Sequence, residues 1–275
     1  MFVRGALSVC MISSLLASGH VLAVRANAQQ MSATAAQAEM PSFEVASIKP
    51  SKPDDTNLDW DDFPGRIAIE NYTLRQIIKV AYGLKSESQV LGGPKWIDSQ
   101  HFDIAAKADD AETAKMQNMD REQWVTERSL MLQSLLADRF QLQISRRERD
   151  LPLYALVITK TGIKFVPSES TEKNHGLSVH NTRLTATGIS MDSFADYLTG
   201  LPESGSRVVI NQTGLTGDYN FKLNWTRDHG NGVPLDAPYP GLFTALEDQL
   251  GLKIESQKGS VPVVIVGSAA EPALD

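Results

Sequence analysis

Cysteine is almost absent from this chain of 275 residues, which contains only Cys10. That residue lies in an N-terminal segment that we predict to be removed. The mature protein is therefore expected to have no disulfide, no thiolate nucleophile and no thiolate metal site. A domain without disulfides must rest on its hydrophobic core, and a chain of this length with 42% hydrophobic residues can build one.

Long apolar runs are also lacking, apart from one at the N-terminus. This stretch follows Arg4, ends near Ala23 and is interrupted by serine, glycine and histidine, so it is a poor ~20-residue membrane span. An A-x-A pattern ending at Ala28 then predicts cleavage of a signal peptide over residues 1–28, with cleavage after Ala23 as the alternative. We expect a periplasmic or secreted protein with no membrane span after cleavage. An uncleaved membrane anchor is the competing interpretation.

Excess positive charge is missing as well. The 26 Lys and Arg residues face 33 Asp and Glu residues, for a formal net charge of −7. Loss of Arg4 and Arg25 with the signal peptide takes this charge to −9. Such a balance argues against nucleic acid or anionic lipid as a partner.

Catalytic motifs are equally scarce. No G-x-S-x-G elbow or H-E-x-x-H pair occurs. Lys160–Gly162 spells K-T-G and residues 170–173 spell S-x-x-K, but the second motif lies in a polar linker with no apolar helix after it, which disfavours a penicillin-recognising enzyme. The acidic loop from Asp54 to Asp62 lacks EF-hand spacing, and whether it binds calcium stays open. The sequence predicts no metal site, cofactor or catalytic residue.

What the sequence does contain is an internal repeat. "RIAIENYTLRQIIKVAYGL" begins at Arg66, and "RLTATGISMDSFADYLTGL" begins 117 residues later at Arg183. Each stretch has an alternating strand pattern, a Thr73 or Ser190 suited to cap a helix, and an amphipathic run. "HFDIAAKA" and "DYNFKLNW" match at the same spacing. "LLADRFQLQISRRERDLPLYALVI" and "LEDQLGLKIESQKGSVPVVIV" match at a spacing of 110.

We therefore predict an α+β fold made by tandem duplication of a strand–helix–strand–strand–helix–strand–strand unit. The predicted organisation is listed by range: signal peptide 1–28, flexible leader 29–41, first repeat 42–167, linker 168–176, second repeat 177–270 and tail 271–275. Two halves that use common α+β elements without common origin are the alternative.

Several motifs resemble a known protein family. "FEVASIKP", "GGPKWIDSQHFDIAAKA", "INQTGLTGDYNFKL" and the two longer strings above are similar to an uncharacterised family of secreted paralogous proteins that is expanded in soil acidobacteria. Each half also resembles, more loosely, the short N-terminal domain of secretins and TonB-dependent receptors. Together the two resemblances imply a sensory or envelope-binding role, and they carry over no catalytic residues.

Five residues are candidates for binding. Trp96 follows the turn "GGP", and Tyr239 lies in the Gly- and Pro-rich loop "DAPYPG". Arg146, Arg147 and Arg149 form a local cation cluster that we place in a hairpin loop before Leu151. A solvated turn is the alternative for the arginines, and packing in the core is the alternative for the aromatic residues.

The function that fits these features is an exported binding or interaction module whose partner is a protein or the peptidoglycan and cell envelope. Free strand edges would allow a partner strand to pair with it. Two alternatives stay open: a cell-envelope hydrolase with a cryptic acid pair or a serine site, and a structural protein that forms homo-oligomers. Whether the protein is an enzyme at all is not decided by the sequence, which favours a non-enzyme.

Overall fold

The computed structural model describes residues 40–52, 57–169, 175–228 and 232–273. The predicted signal peptide lies outside these ranges, as do residues 29–39 of the leader and 170–174 of the linker. Five helices and twelve strands occur in the described residues, which confirms the predicted α+β class. None of the helices described there is both long and apolar enough to cross a membrane.

The elements fall into two halves. The first half consists of β1 (Val45–Pro50), β2 (Asp59–Phe63), β3 (Arg66–Thr73), α1 (Leu74–Ala81), β4 (Val90–Gly92), β5 (His101–Lys107), α2 (Asp110–Gln117), α3 (Arg121–Arg139) and β6 (Gln143–Ile158). The second half consists of β7 (Val166–Pro167), β8 (Gly176–His180), β9 (Arg183–Ser190), α4 (Met191–Thr199), β10 (Val209–Asn211), β11 (Asp218–Asn224), α5 (Leu242–Ala245) and β12 (Leu252–Ser268), with a π-helical turn (Leu246–Leu250) between the last two.

Each half contains a four-stranded antiparallel sheet with the same strand order. The first sheet runs β1-β5-β3-β2, and the second runs β7-β11-β9-β8. The registers also correspond, because Pro50 lies opposite Phe102 in the first sheet and Pro167 lies opposite Tyr219 in the second. Both pairs of equivalent positions are 117 residues apart, the spacing seen in the sequence.

A bulge interrupts the same strand in both sheets. In β3 the residue at the bulge is Asn71, with φ of 63°, and its N–H donates to Oδ1 of Asp103 over 3.0 Å. In β9 it is Gly188, with φ of 59°, and its N–H donates to Oδ1 of Asn220 over 2.8 Å. Asn and Gly tolerate the left-handed backbone that such a bulge requires.

The helix after each bulged strand begins as the sequence predicts. Thr73 and Gln76 form the predicted capping box at the start of α1. Ser190 accepts a hydrogen bond from the N–H of Ser193 at the start of α4. The apolar faces of both helices are buried against their sheets, which satisfies the amphipathic pattern of each run.

The two long strands β6 and β12 join the halves. They pair antiparallel along their lengths, from Leu252 opposite Ile158 to Ser268 opposite Gln143. The short strands β10 and β4 add in parallel to the far ends of β6 and β12, so the third sheet has the order β10-β6-β12-β4. This central sheet carries strands from both halves.

β6 and β12 each run from one hydrophobic core into another. The first core lies between the first sheet and helices α1 and α3, and the second core lies between the second sheet and the helices α4 and α5. Ile144 at the start of β6 packs on the first core, whereas Leu156 near its end is in the second. Leu252 at the start of β12 is in the second core, whereas Val266 near its end is in the first. Each long strand therefore packs one end in the core of its own half and the opposite end in the core of the second half or the first half, respectively for β6 and β12.

Because of these crossed strands, the predicted boundary between the two repeats does not separate two independent units. The described residues form one compact unit. The predicted boundary at Pro167 falls at the end of β7, which already belongs to the second sheet. The halves share strand order, register and bulge, and their origin by duplication stays a prediction.

Candidate functional site

Trp96 lies in a short 3₁₀ helix, Lys95–Asp98, and is partly buried against the first core. Its ring stacks on Phe140 with centroids 6.5 Å apart and meets the ring of Phe102 edge-on at 6.2 Å. These contacts account for an aromatic residue after the "GGP" turn. The role of Trp96 in binding stays a prediction.

The three arginines occupy a different element from the one expected. Arg146, Arg147 and Arg149 lie within the continuous strand β6, so their placement in a hairpin loop is wrong. The guanidinium group of Arg146 lies 5.2 Å from the ring centroid of Tyr82 and donates to Oε1 of Gln133 over 3.3 Å. Since side chains alternate along a strand, Arg147 and Arg149 project from the opposite face. Their role in binding stays a prediction.

Tyr239 lines a cleft with a volume of about 660 Å³. We call it the Tyr239 cleft. One wall is the turn between β8 and β9, residues 180–183, and another is the segment 225–227 that follows β11. Pro234, Pro238 and Tyr239, from the loop before α5, complete it.

Main-chain hydrogen bonds hold these walls in place. The N–H of Trp225 donates to the carbonyl oxygen of Thr182 over 3.1 Å, and the N–H of Thr226 donates to that of Pro240 over 2.8 Å. Trp225 is 1% exposed, and its indole N–H donates to Oε1 of Glu203 over 3.0 Å. The cleft is therefore built on a fixed framework, with its base anchored in the second core.

The first half fills the equivalent place with a helix. There the N–H of Ala108 donates to the carbonyl oxygen of Gly65 over 2.7 Å, which matches the bond between Trp225 and Thr182 at a spacing of 117. Helix α2 then packs so closely that a Cβ atom on Gly65 would lie 2.2 Å from Oγ1 of Thr113. The second half has a Gly- and Pro-rich loop instead of this helix, and the cleft opens beside it.

The charges that line the Tyr239 cleft are positive. Arg183 and Arg227 are exposed, and no Asp or Glu is among the lining residues that the structure describes. Burial raises the pKa of Tyr197, and the charge of Glu203 raises it further, while the charge of Arg227 opposes both. Arg227 thus lies within electrostatic reach of helix α4 as well as lining the cleft.

A second cavity, of about 400 Å³, lies near the first. Glu203, Asp228 and Phe243 line it. Oε2 of Glu203 is buried and accepts no hydrogen bond from the described residues, while its Oε1 accepts from the indole of Trp225. The indole therefore connects the Tyr239 cleft with a carboxylate on the other side.

The remaining sequence candidates have structural explanations where the structure describes them. Lys160–Gly162 form a turn closed by a 3.0 Å hydrogen bond from the N–H of Gly162 to the carbonyl oxygen of Thr159. Asp62 pairs with Arg128 and accepts from the indole of Trp60 over 3.2 Å. Residues 54, 55 and 170–173 lie outside the described ranges. Within those ranges no group of three or more His, Cys, Asp or Glu residues could hold a metal ion.

Arg183 and Arg227 were not among the sequence candidates. Arg183 looks like its counterpart Arg66, and both begin an exposed strand end. The signal that could have indicated the cleft is a difference between the halves. "TRDHGNGVPLDAPYPG" in the second half stands where the first half has the charged stretch "ADDAETAKMQNMD".

The chain belongs to the family described as "Protein of unknown function (DUF3738)", whose sequence model matches residues 75–269. This match confirms the expectation of an uncharacterised family. No curated protein matches the chain, and no solved structure matches it.

Proposed function

We propose that this member of the DUF3738 family is an exported binding module and that its ligand occupies the Tyr239 cleft. The cleft itself is the observation that supports the proposal most directly. Its volume of about 660 Å³ falls in the range of small-molecule sites, and its aromatic and proline walls can contact the apolar face of a ligand.

The comparison between halves supports the same assignment. Both halves have the same framework around this position, but α2 closes it in the first half and a loop leaves it open in the second. Loops on a rigid scaffold commonly carry binding residues. The A-x-A pattern and the looser resemblance of each half to the N-terminal domain of secretins and TonB-dependent receptors support export and an envelope role. A tandem duplication followed by divergence of one loop would account for the two halves.

A screen of small fragments by protein-observed NMR tests the proposal. Fragments that bind should shift the amide signals of residues 180–183 and 225–227. Tyr239→Ala should weaken their binding about tenfold, the equivalent of about 1.4 kcal/mol, because it removes one aromatic wall. Leu235→Ala, in the same loop but fully exposed, is the matched control and should leave binding unchanged.

Two results would contradict the proposal. One is a screen in which no fragment shifts the amides of these two segments. The other is binding that Tyr239→Ala and Leu235→Ala weaken to the same extent.

The hydrolase alternative is favoured by one observation. Glu203 and Asp228 line the same cavity, and Glu203 has a buried oxygen that accepts no hydrogen bond within the described part of the chain. A carboxylate pair in a cavity is the arrangement that glycoside hydrolysis requires. Release of soluble products from purified peptidoglycan, abolished by Glu203→Gln, would support this alternative, and no release by the unmodified protein would exclude it for that substrate.

A further inference from the structure

We infer that the ligand of the Tyr239 cleft is a small ring compound that carries an oxyanion, and that Arg183 and Arg227 bind its negative charge. The inference rests on the proposed function, because it names the chemistry of the ligand for the same cleft. It starts from the charge pattern. The chain has a net charge of −7, yet the described lining has two arginines and no carboxylate.

Both arginines line the same cleft. Arg183 is the first residue of β9 and lies opposite His180 of β8 and Asn224 of β11, so two neighbouring strands fix its backbone. Arg227 follows two residues after the buried Trp225. A guanidinium group presents paired N–H donors that match the two oxygens of a carboxylate or phosphate.

The walls specify the rest of the ligand. Tyr239, Pro234 and Pro238 offer apolar surfaces next to the two cations. The C–H faces of a sugar ring or the face of an aromatic ring can lie against such side chains. A simple inorganic anion would leave these surfaces without contact, whereas a ring that carries the oxyanion uses both features.

The first half supplies an internal control. Arg66 is the counterpart of Arg183, begins β3 and is exposed. The space beside it is taken by α2, which packs against Gly65 through Thr113 and through a 3.3 Å hydrogen bond from the N–H of Gly65 to Sδ of Met116. Arg66 therefore has the same strand position and charge without the cleft.

Matched ligand pairs test the inference in titrations followed by NMR. The charged members are D-glucuronate, D-glucose 6-phosphate and benzoate, and the neutral members are D-glucose and benzamide. At least one charged compound should shift the amides of residues 180–183 and 225–227 with an affinity at least about fivefold higher than that of its neutral counterpart. The preferred compound shows whether the ligand's anion is a carboxylate or a phosphate and whether its ring is a sugar or an aromatic ring.

Substitutions identify the groups that bind the charge. The double variant Arg183→Gln, Arg227→Gln should lose about tenfold or more in affinity for the preferred anion, while Arg66→Gln should retain it. Raising the salt concentration should weaken binding of the anion by the unmodified protein, because the arginines are exposed and screened.

The inference would be overturned if charged and neutral compounds bound the cleft equally, if Arg66→Gln lost as much affinity as the double variant, or if no oxyanion shifted the cleft amides. Binding of neutral rings alone would refute the inference and leave the binding-module proposal standing. If neither these compounds nor the fragment screen shifted the cleft amides, both would fall.

Discussion

Replacement of Leu156 by alanine should destabilise both hydrophobic cores, although the residue belongs to only one of them. Leu156 is fully buried in the second core and lies on β6, which begins in the first core. Removal of a buried leucine side chain costs about 2–5 kcal/mol. For a unit of this size each kcal/mol lowers the melting temperature by roughly 2–4 °C, so we expect a decrease of about 4–20 °C. The crossed strands predict that the whole unit melts in one transition at this lower temperature.

Differential scanning calorimetry and hydrogen exchange measure the two parts of this prediction. Calorimetry should show one peak, and exchange in helices α1 and α4 should increase by the same factor, because both cores open together. Leu235→Ala, at a fully exposed position, should change neither measurement. Two separate peaks, with exchange in α1 unchanged by Leu156→Ala, would refute the idea that the crossed strands couple the cores.

Two further predictions concern backbone fit and charge. In chemical denaturation, Gly251→Ala should lower the free energy of unfolding by about 1–3 kcal/mol more than Gly214→Ala does. Both glycines have left-handed φ, but only a Cβ on Gly251 would meet backbone, at 1.9 Å. Equal losses of stability would contradict this. Burial raises the pKa of Tyr82 above its ordinary 10.0 and the charge of Arg146 lowers it, so Arg146→Gln should raise that pKa further, whereas Arg147→Gln should not. The stability that Tyr82 contributes by staying protonated is complete below about pH 10 and is lost as the pH rises through its folded pKa. Absorbance titration at 295 nm measures this pKa. A lower pKa in Arg146→Gln than in the unmodified protein would contradict the prediction.

The local elements of the fold could be predicted because their determinants are local. The hydroxyl of Thr73 and the side chain of Gln76 cap α1 within four residues, and the alternation in β3 places Ile67 and Ile69 inside. The same signals recur 117 residues later. Neighbouring residues therefore indicate helix starts and strand faces in both halves. The two strands predicted at the end of each unit are wrong, because each pair is one continuous strand, β6 or β12.

The crossing of the long strands could not be read in the same way. A strand that leaves one core and enters another has an exposed middle, and residues 146–150 of β6 are all exposed. A run of charged residues followed by Pro152 is typical of a loop, and for this reason the sequence pattern wrongly predicts a loop at the arginines. The Tyr239 cleft was missed for a related reason, since its walls come from three separate segments and Arg183 has the same sequence pattern as the cleft-free Arg66.

The crossing has a consequence for how the chain completes its fold during synthesis. Val264 and Val266 belong to the first core, yet they are made after almost all of the second half. The N-terminal half must wait, incompletely closed, for the C-terminal residues. A nonsense mutation just before Val264 would damage the core of the half made first and leave the core made later nearly intact.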